Sequence, residues 1–177
     1  DATFYDDFYI GTERAPEKLG GRMEKVSGKI DTRVYMQIGR VSGDIPVLDG
    51  KLDDKCWANA AVFSPMVKNN HHKSSNHTQA YAAYDEKNLY IAVKAMDEDL
   101  DPVKNQLDQI IKGRTGNNAR AWTADSIELF IAPEQSSPDK YFHFCFNLAG
   151  GYDAMHPQKS NKWQSGVKSA AQINDHF

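Results

Sequence analysis

Hydrophobic and polar residues alternate near the centre of the chain. Ile127, Leu129 and Ile131 share one parity, and Glu128 lies between them with the opposite parity. A period of two residues is typical of a half-buried β-strand, in which one row of side chains packs against a core and the other row faces away from it. Pro133 has no backbone N–H to donate to a neighbouring strand, so we expect this strand to end there.

Further strands are predicted on both sides of this central one. Residues 78–84 and 89–96 are rich in apolar and aromatic residues, and the polar tetrapeptide 85–88 between them predicts a hairpin. Residues 141–148 alternate three phenylalanines with smaller or polar residues, which predicts a strand with one aromatic face. Three more strands are expected at residues 1–13, 32–38 and 167–173.

Short helical segments and loops are expected between these strands. Residues 102–113 place apolar side chains at helical spacing, and Asp53 or Asp54 is suited to cap a helical turn that carries Trp57. We expect Trp57 to pack in the core, because small alanines follow it. The predicted turns and loops are Asp49–Gly50, 114–120, 149–153 and 155–166.

The succession of short strands and turns predicts an all-β fold. We expect an antiparallel β-sandwich of the immunoglobulin-like or jelly-roll type, with short helices in its loops. Residues 1–29 are expected to form an N-terminal strand and a polar linker, as the tail of a preceding module. Residues 30–177 are expected to form the sandwich. Since no paired closing strands are predicted after Phe177, we expect this domain to be truncated at its C-terminus.

Composition and charge exclude several classes of function. The 177 residues are 40% hydrophobic and 25% charged, which is ordinary for a soluble globular domain. The net charge is −3 and the Lys and Arg residues are scattered, so nucleic acid is not expected as a partner. No apolar run approaches the roughly 20 residues of a membrane span. Cys56 and Cys145 form no CxxC motif; we expect each to be a small buried residue, and their pairing is left open.

Trp122 and Glu128 are the candidate ligand-binding residues of the central strand. Trp122 and Asp125 lie at its entrance, and Glu128 projects away from the aliphatic row. A flat aromatic ring beside a fixed carboxylate suits a sugar, because the C–H face of the sugar stacks on the indole while its hydroxyls donate to the acid. The alternative is a buried Trp122 in an ordinary sandwich strand, with Asp125 as a turn residue.

Two polar segments are candidates for binding a metal ion. Residues 97–101 carry four carboxylates in five positions, and Asp97, Asp99 and Asp101 would supply oxygen ligands for calcium. Residues 69–77 contain three of the six histidines. The first segment lacks the spacing of an EF-hand and nothing fixes the rings of the second on one side, so a solvated loop is the alternative for both.

Four stretches of the chain, taken in their order and spacing, are similar to those of one known family. They are Val47–Asp53 followed by Trp57, then Tyr84–Val93, then Trp122–Ile131, then Phe144 with Asn147. Together they resemble the family 9 carbohydrate-binding modules and their relatives, over residues 45 to 167. The resemblance implies a β-sandwich that binds sugars without catalysis, often holds structural calcium, and is attached to secreted bacterial enzymes that degrade polysaccharides.

The resemblance also assigns roles to individual residues. Trp122 is similar to one of two tryptophans that clamp a sugar in xylan- and cellulose-binding members, Glu128 to the carboxylate that accepts sugar hydroxyls, and Asn147 to a polar contact. The chain departs from the family at Cys145, where binding members have an arginine whose charged fork a thiol cannot replace. The second clamping tryptophan would lie in a C-terminal region that this chain lacks, since Trp163 is not at the matching place.

These observations lead to a principal hypothesis and two alternatives. We expect a non-catalytic carbohydrate-binding module of a secreted, extracellular or periplasmic, bacterial polysaccharide-degrading protein. Its ligand would be a xylan- or cellulose-type glycan and its partner a linked catalytic domain. The first alternative is a structural or interaction sandwich without a ligand inside a larger glycoside hydrolase. The second is a haem-binding cytochrome-like domain of the same fold, for which Met96, Met155 and His143 are available as axial ligands.

A catalytic domain is not expected. A glycosidase needs two carboxyl groups that face each other roughly 5–9.5 Å apart. Asp125 and Glu128 lie three positions apart on a strand and therefore point to opposite faces. A serine nucleophile elbow is also missing from the sequence.

Overall fold

The computed structural model has an all-β fold built from two four-stranded mixed sheets and a separate two-stranded ladder, with short helical turns between strands. It describes residues 25–26, 29–30, 38–41, 44–64, 78–97, 100, 103–105, 108, 114–133, 137, 140–159 and 163–174. Within these residues the strands are Lys25–Val26 (β1), Lys29–Ile30 (β2), Gly39–Arg40 (β3), Ala61–Phe63 (β4), Thr78–Tyr84 (β5), Leu89–Ala95 (β6), Gly116–Asn117 (β7), Ser126–Ile131 (β8), Phe142–Asn147 (β9) and Gly151–Met155 (β10). Two 3-10 turns cover Lys55–Asn59 and Ala121–Thr123. Residues 103–105 and 108 are helical, as predicted for 102–113.

The first sheet is organised around β5. This strand pairs antiparallel with β6 along its whole length, from Thr78 opposite Ala95 to Tyr84 opposite Leu89, which confirms the predicted hairpin. On its other edge β5 pairs antiparallel with β4 and parallel with β3. The sheet is therefore mixed, although its longest ladder is antiparallel.

The 3-10 turn Lys55–Asn59 packs against the first sheet. Trp57 meets Tyr81 edge-on, with ring centroids 6.5 Å apart, and is half-buried. Asp54 occupies the N-cap position, but its carboxylate accepts a hydrogen bond from the backbone N–H of Val47 at 3.2 Å instead of capping the turn. The predicted helical turn is confirmed, and Trp57 lies at the margin of the core.

The second sheet has the strand order β7-β10-β9-β8. β8 and β9 are antiparallel, with Ser126 opposite Asn147 and Ile131 opposite Phe142. β10 pairs antiparallel with β9, and β7 adds a short parallel ladder to β10. Two of the three pairings are therefore those of an antiparallel meander, and the sandwich predicted from the sequence is confirmed as the fold class.

The register of the second sheet divides its side chains between two faces, because directly opposed residues of neighbouring antiparallel strands point to the same side. The apolar face carries Ile127, Leu129, Ile131, Phe142, Phe144, Phe146, Tyr152 and Ala154. The opposite face, called the polar face below, carries Ser126, Glu128, Phe130, His143, Cys145, Asn147, Asp153 and Met155. The two alternating rows predicted for β8 and β9 are thus confirmed.

Trp163 covers the apolar face. Its ring centroid lies 5.4 Å from that of Phe142 and 6.0 Å from that of Phe144. Phe144 is buried, with 8% of its surface exposed. Burying a large apolar side chain stabilises a fold by about 1.5–3 kcal/mol, so this aromatic layer is a main source of stability for the second sheet.

The C-terminal segment 163–174 passes close to the turns at Gly50 and Gly150 and does not join a strand ladder. The Ser169 hydroxyl donates to the carbonyl of Gly150 at 2.7 Å. Gly50 has a φ of 84°, and a Cβ at this position would lie 2.8 Å from the carbonyl carbon of Ala171, so both backbone angle and space require glycine. The strand predicted at 167–173 is wrong, because burial alternates only as far as residue 170 and none of these residues joins a strand ladder.

One further prediction needs correction. The turn predicted at 149–153 ends at Gly150, whose φ of 73° lets the chain reverse within four residues, and β10 begins at the next residue. β1 lies near the end of residues 1–29 and pairs with β2, and the division of the chain into 1–29 and 30–177 stays a prediction. The strand predicted at 1–13, all of 32–38 except its last residue, and the histidine-rich segment lie outside the described residues.

No helix in the described part of the chain combines the length and apolar character that a membrane span requires.

One carboxylate holds the turn between β5 and β6. Asp85 Oδ2 accepts a hydrogen bond from the Tyr90 hydroxyl at 2.6 Å, and Oδ1 accepts from the backbone N–H groups of Lys87 and Asn88, both at 2.7 Å. All three bonds favour the ionised carboxylate, the bond from Tyr90 most strongly. Together they lower the pKa of Asp85 from its ordinary value of 3.8 to about 2.

The stability of this hairpin is therefore expected to depend on pH. A carboxylate whose pKa is lower in the folded chain contributes stability that is complete above its unfolded pKa and is lost between roughly pH 4 and pH 2 as the folded pKa is passed. Tyr90→Phe removes the hydroxyl and keeps the ring, so we expect it to raise the pKa of Asp85 in an NMR titration of the carboxyl carbon. Tyr84→Phe is the control and should leave that pKa unchanged. An Asp85 pKa still near 2 in Tyr90→Phe would contradict the assignment.

Candidate functional site

Glu128 and His143 form a hydrogen-bonded pair on the polar face. Glu128 Oε2 and His143 Nε2 are 2.9 Å apart. Because an ionised carboxylate only accepts, Nε2 carries the proton and donates. The direct cross-strand partner of Glu128 is Cys145, so His143 lies one diagonal step away on β9. The polar side of the strand predicted at residues 141–148 therefore lies beside Glu128.

Phe130 fixes the His143 ring from a second direction. The two rings are stacked, with centroids 4.3 Å apart and an angle of 6° between their planes. Tyr141 in turn meets Phe130 edge-on at 5.3 Å. The side chain of Glu128 is 40% exposed and that of His143 is 19% exposed. The carboxylate is thus held in one place while it stays accessible, which reduces the entropy that a ligand must overcome.

Cys145 lies between two carboxylates on the polar face. It is the direct partner of Glu128 on β8 and of Asp153 on β10, and it is 2% exposed. Burial raises the pKa of the Cys145 thiol, and both carboxylates act in the same direction, against a hydrogen bond with Ser126. The thiol is therefore uncharged at neutral pH, and this position has neither the positive charge nor the planar fork of an arginine.

Both cysteines are free and buried, which settles the pairing left open by the sequence. Cys56 lies in the first 3-10 turn, which packs against the first sheet, and Cys145 lies in β9 of the second sheet. Each fills the place of a small apolar residue, as predicted.

The 3-10 turn Ala121–Thr123 is attached to the polar face. The backbone N–H of Ala121 donates to Asp153 Oδ2 at 2.6 Å, and Ala121 itself is 0% exposed. At the other end of the turn the Arg114 guanidinium donates to the Thr123 hydroxyl. The turn is therefore fastened at both ends, with Trp122 in its middle.

The backbone before this turn adopts a conformation that non-glycine residues rarely use. Asn118 has a φ of 63° and Arg120 a φ of 51°. The resulting sharp bend buries Ala119 and Ala121 while Trp122, the next residue, is 59% exposed. Left-handed non-glycine residues concentrate at functional sites. The structure therefore contradicts the alternative in which Trp122 is buried.

Asn147 supports the site from inside the fold. It is 5% exposed. Its Oδ1 accepts from the backbone N–H groups of Ala149 at 3.0 Å and Gly151 at 2.9 Å, and its Nδ2 donates to the carbonyl of Arg114 at 3.1 Å. These bonds hold the turn into β10 against the segment that leads to Trp122. The direct sugar contact predicted for Asn147 stays a prediction, and the side chain already has three backbone partners.

Trp163 does not share a side of the sheet with Glu128. Trp163 packs on the phenylalanines of the apolar face, whereas Glu128 belongs to the polar face. Trp163 therefore cannot supply a second wall for a ring that is stacked on Trp122.

The predicted metal and haem ligands are only partly described. Asp97 is described, but Asp99, Asp101 and residues 69–77 are not, so the calcium site stays a prediction. Among the described residues, no group of three or more His, Cys, Asp or Glu side chains is placed to hold a metal ion. His143 and Met155 are direct partners on β9 and β10 and lie side by side, so they cannot ligate a haem iron from its two opposite faces.

Asp153 and Phe130 belong to the site but were not selected as site residues from the sequence, although the sequence pattern gave a weak indication of each. Asp153 alternates with Tyr152 and Ala154, but the preceding glycines favoured a turn over a strand. Phe130 shares the parity of Glu128, so its position on the polar face follows from the same period of two.

Comparison with known protein families supports the resemblance predicted from the sequence. The model of the family described as "Carbohydrate family 9 binding domain-like" matches residues 48–176. The matched range contains Trp122, Glu128, His143 and Asp153. No curated protein and no solved structure is significantly similar to the chain.

Replacing Asn147 tests its supporting role. A buried group that loses its hydrogen-bond partner typically costs about 1–3 kcal/mol, so we expect Asn147→Ala to lower the free energy of unfolding by about that amount. Urea unfolding measures the change. Gln158→Ala, which removes an exposed carboxamide, is the control and should change stability by less than about 0.5 kcal/mol. Equal stability of Asn147→Ala and the wild type would contradict the role.

Proposed function

Because the chain belongs to the carbohydrate family 9 binding domain-like family, we propose that it is a non-catalytic module that binds a sugar on the polar face of its second sheet. The sugar ring stacks on Trp122 and a sugar hydroxyl donates to Glu128. One observation supports this most: a 59% exposed indole sits on a turn that is bonded, through Ala121, to the face that carries Glu128.

The two residues supply complementary interactions. The indole offers a flat apolar surface to the C–H face of a pyranose ring. The carboxylate of Glu128 accepts hydroxyl protons through charge-assisted hydrogen bonds, which are stronger than neutral ones. His143 keeps the carboxylate in position before the sugar arrives. Since Trp163 lies on the apolar face, the sugar is stacked from one side only, and we propose weaker binding than a two-sided clamp would give.

The wider setting is part of the same proposal. We propose that the ligand is a xylan- or cellulose-type glycan and that the module belongs to a secreted bacterial polysaccharide-degrading protein with a linked catalytic domain. The family match supports this setting. Structural calcium bound by Asp97, Asp99 and Asp101 is also proposed, supported by the four carboxylates in positions 97–101.

Tryptophan fluorescence tests the sugar site directly. We expect xylo- or cello-oligosaccharides to change the fluorescence of the wild type in a saturable way, because a sugar ring replaces water at the exposed indole of Trp122. The change should be lost in Trp122→Ala. It should persist in Trp163→Phe, which removes an indole from the apolar face and keeps an aromatic ring there.

A second pair of variants tests the carboxylate in the same titration. Glu128→Gln is expected to weaken binding roughly ten- to hundredfold, since a hydrogen bond to a charged group is worth more than a neutral one. Glu86→Gln, at an exposed position in the hairpin turn of the first sheet, is the matched control and should bind like the wild type. Undiminished binding by Trp122→Ala, or a wild type that binds neither sugar series, would contradict the proposal.

A further inference from the structure

A shallow recess opens on the polar face beyond His143. It encloses about 220 Å³ and is lined by Tyr141, His143, Met155, His156 and Pro157. Pockets for drug-sized ligands usually enclose about 300–1,000 Å³. The recess is smaller than these, so its size suits a single small ring.

The recess shares His143 with the candidate sugar site. His143 lines the recess and also donates to Glu128, so one imidazole borders both. Phe130, stacked on that imidazole, is two residues beyond Glu128 on β8, which is about 7 Å along a strand. Trp122 precedes the start of β8, and the recess lies near its end. The indole therefore lies before β8 and the carboxylate within it, and the recess is formed by residues on or next to β9 and β10 beside the end of β8.

The walls of the recess combine exposed apolar surface with polar atoms. Tyr141 is 40% exposed, Met155 is 52% exposed and Phe130, against the Tyr141 ring, is 36% exposed. The Tyr141 hydroxyl and the His143 imidazole are hydrogen-bonding groups of these lining residues. The His156 ring packs against Phe142 and Trp163 of the apolar face, so His156 only closes the edge of the recess. An aromatic wall with polar atoms around it matches the two kinds of surface that a sugar ring presents.

We propose that this recess is a second sugar subsite, so that the module binds a glycan chain of at least two residues. One ring occupies Trp122 and Glu128, and the next ring lies against Tyr141 and Met155. His143 borders both positions, and its imidazole is held by Glu128 on one side and by Phe130 on the other. This inference rests on the proposed function, because it extends the same binding face.

Isothermal titration calorimetry with sugars of two lengths tests the subsite. The probes are xylose, glucose, xylotetraose and cellotetraose, added to the wild type, Tyr141→Ala, Met155→Ala and Trp122→Ala. We expect Tyr141→Ala to bind the tetrasaccharide roughly three- to tenfold more weakly while its affinity for the monosaccharide is unchanged. Met155→Ala should also weaken tetrasaccharide binding without changing monosaccharide binding, but by a smaller factor than Tyr141→Ala. Trp122→Ala should lose both ligands.

The matched control is Tyr84→Ala, which removes a tyrosine of nearly equal exposure, 42%, from the other sheet and should bind all four sugars like the wild type. Thermal melts establish that each variant is folded. Unchanged tetrasaccharide affinity in both Tyr141→Ala and Met155→Ala, with binding lost in Trp122→Ala, would overturn the second subsite and leave the proposed function standing. A wild type that binds none of the four sugars would overturn the proposed function and the subsite with it.

Discussion

The pairing of β8 with β9 is the constraint on which the candidate site depends. Ser126 opposite Asn147 fixes the register of the whole ladder. A slip by one residue would exchange the two faces of β8, placing Glu128 among the phenylalanines and the aliphatic row on the outside. An unpaired buried carboxylate costs several kcal/mol, and the lost burial of the aliphatic row would add to this cost. Packing on the apolar face thus determines which residues meet on the polar face.

Buried polar side chains of the polar face hold the loops that carry the exposed ones. Buried polar atoms need hydrogen-bond partners, and here those partners are backbone groups of the loops. Asp153 accepts the N–H of Ala121, and Asn147 bonds three backbone groups around the turn into β10. The loop that carries Trp122 is therefore held by the sheet and not only by its own sequence. This arrangement places a binding side chain on a loop while a rigid sheet sets its position.

The sequence predicts the parts of this structure that depend on local periodicity. The strand of Glu128 and its orientation follow from a period of two, which needs only neighbouring residues. β10 was missed because Gly150–Gly151 signals a turn, and Tyr152 with one alanine makes too short an apolar row to outweigh that signal. The exposure of Trp122 was not predictable, because it depends on left-handed backbone at non-glycine residues and on a bond to Asp153, 32 positions from Ala121. Such contacts exist only once the register is set.

NMR mapping of a tetrasaccharide complex would show whether sugar binds on the polar face of the second sheet. Xylotetraose or cellotetraose is added while the backbone amides and the tryptophan indole N–H signals are followed. We expect the Trp122 indole signal and the amide signals of Glu128 and His143 to shift together as the sugar is added, while the Trp163 indole signal stays in place. Shifts centred on Trp163, with Trp122 and Glu128 unchanged, would contradict this expectation and place the ligand on the apolar face.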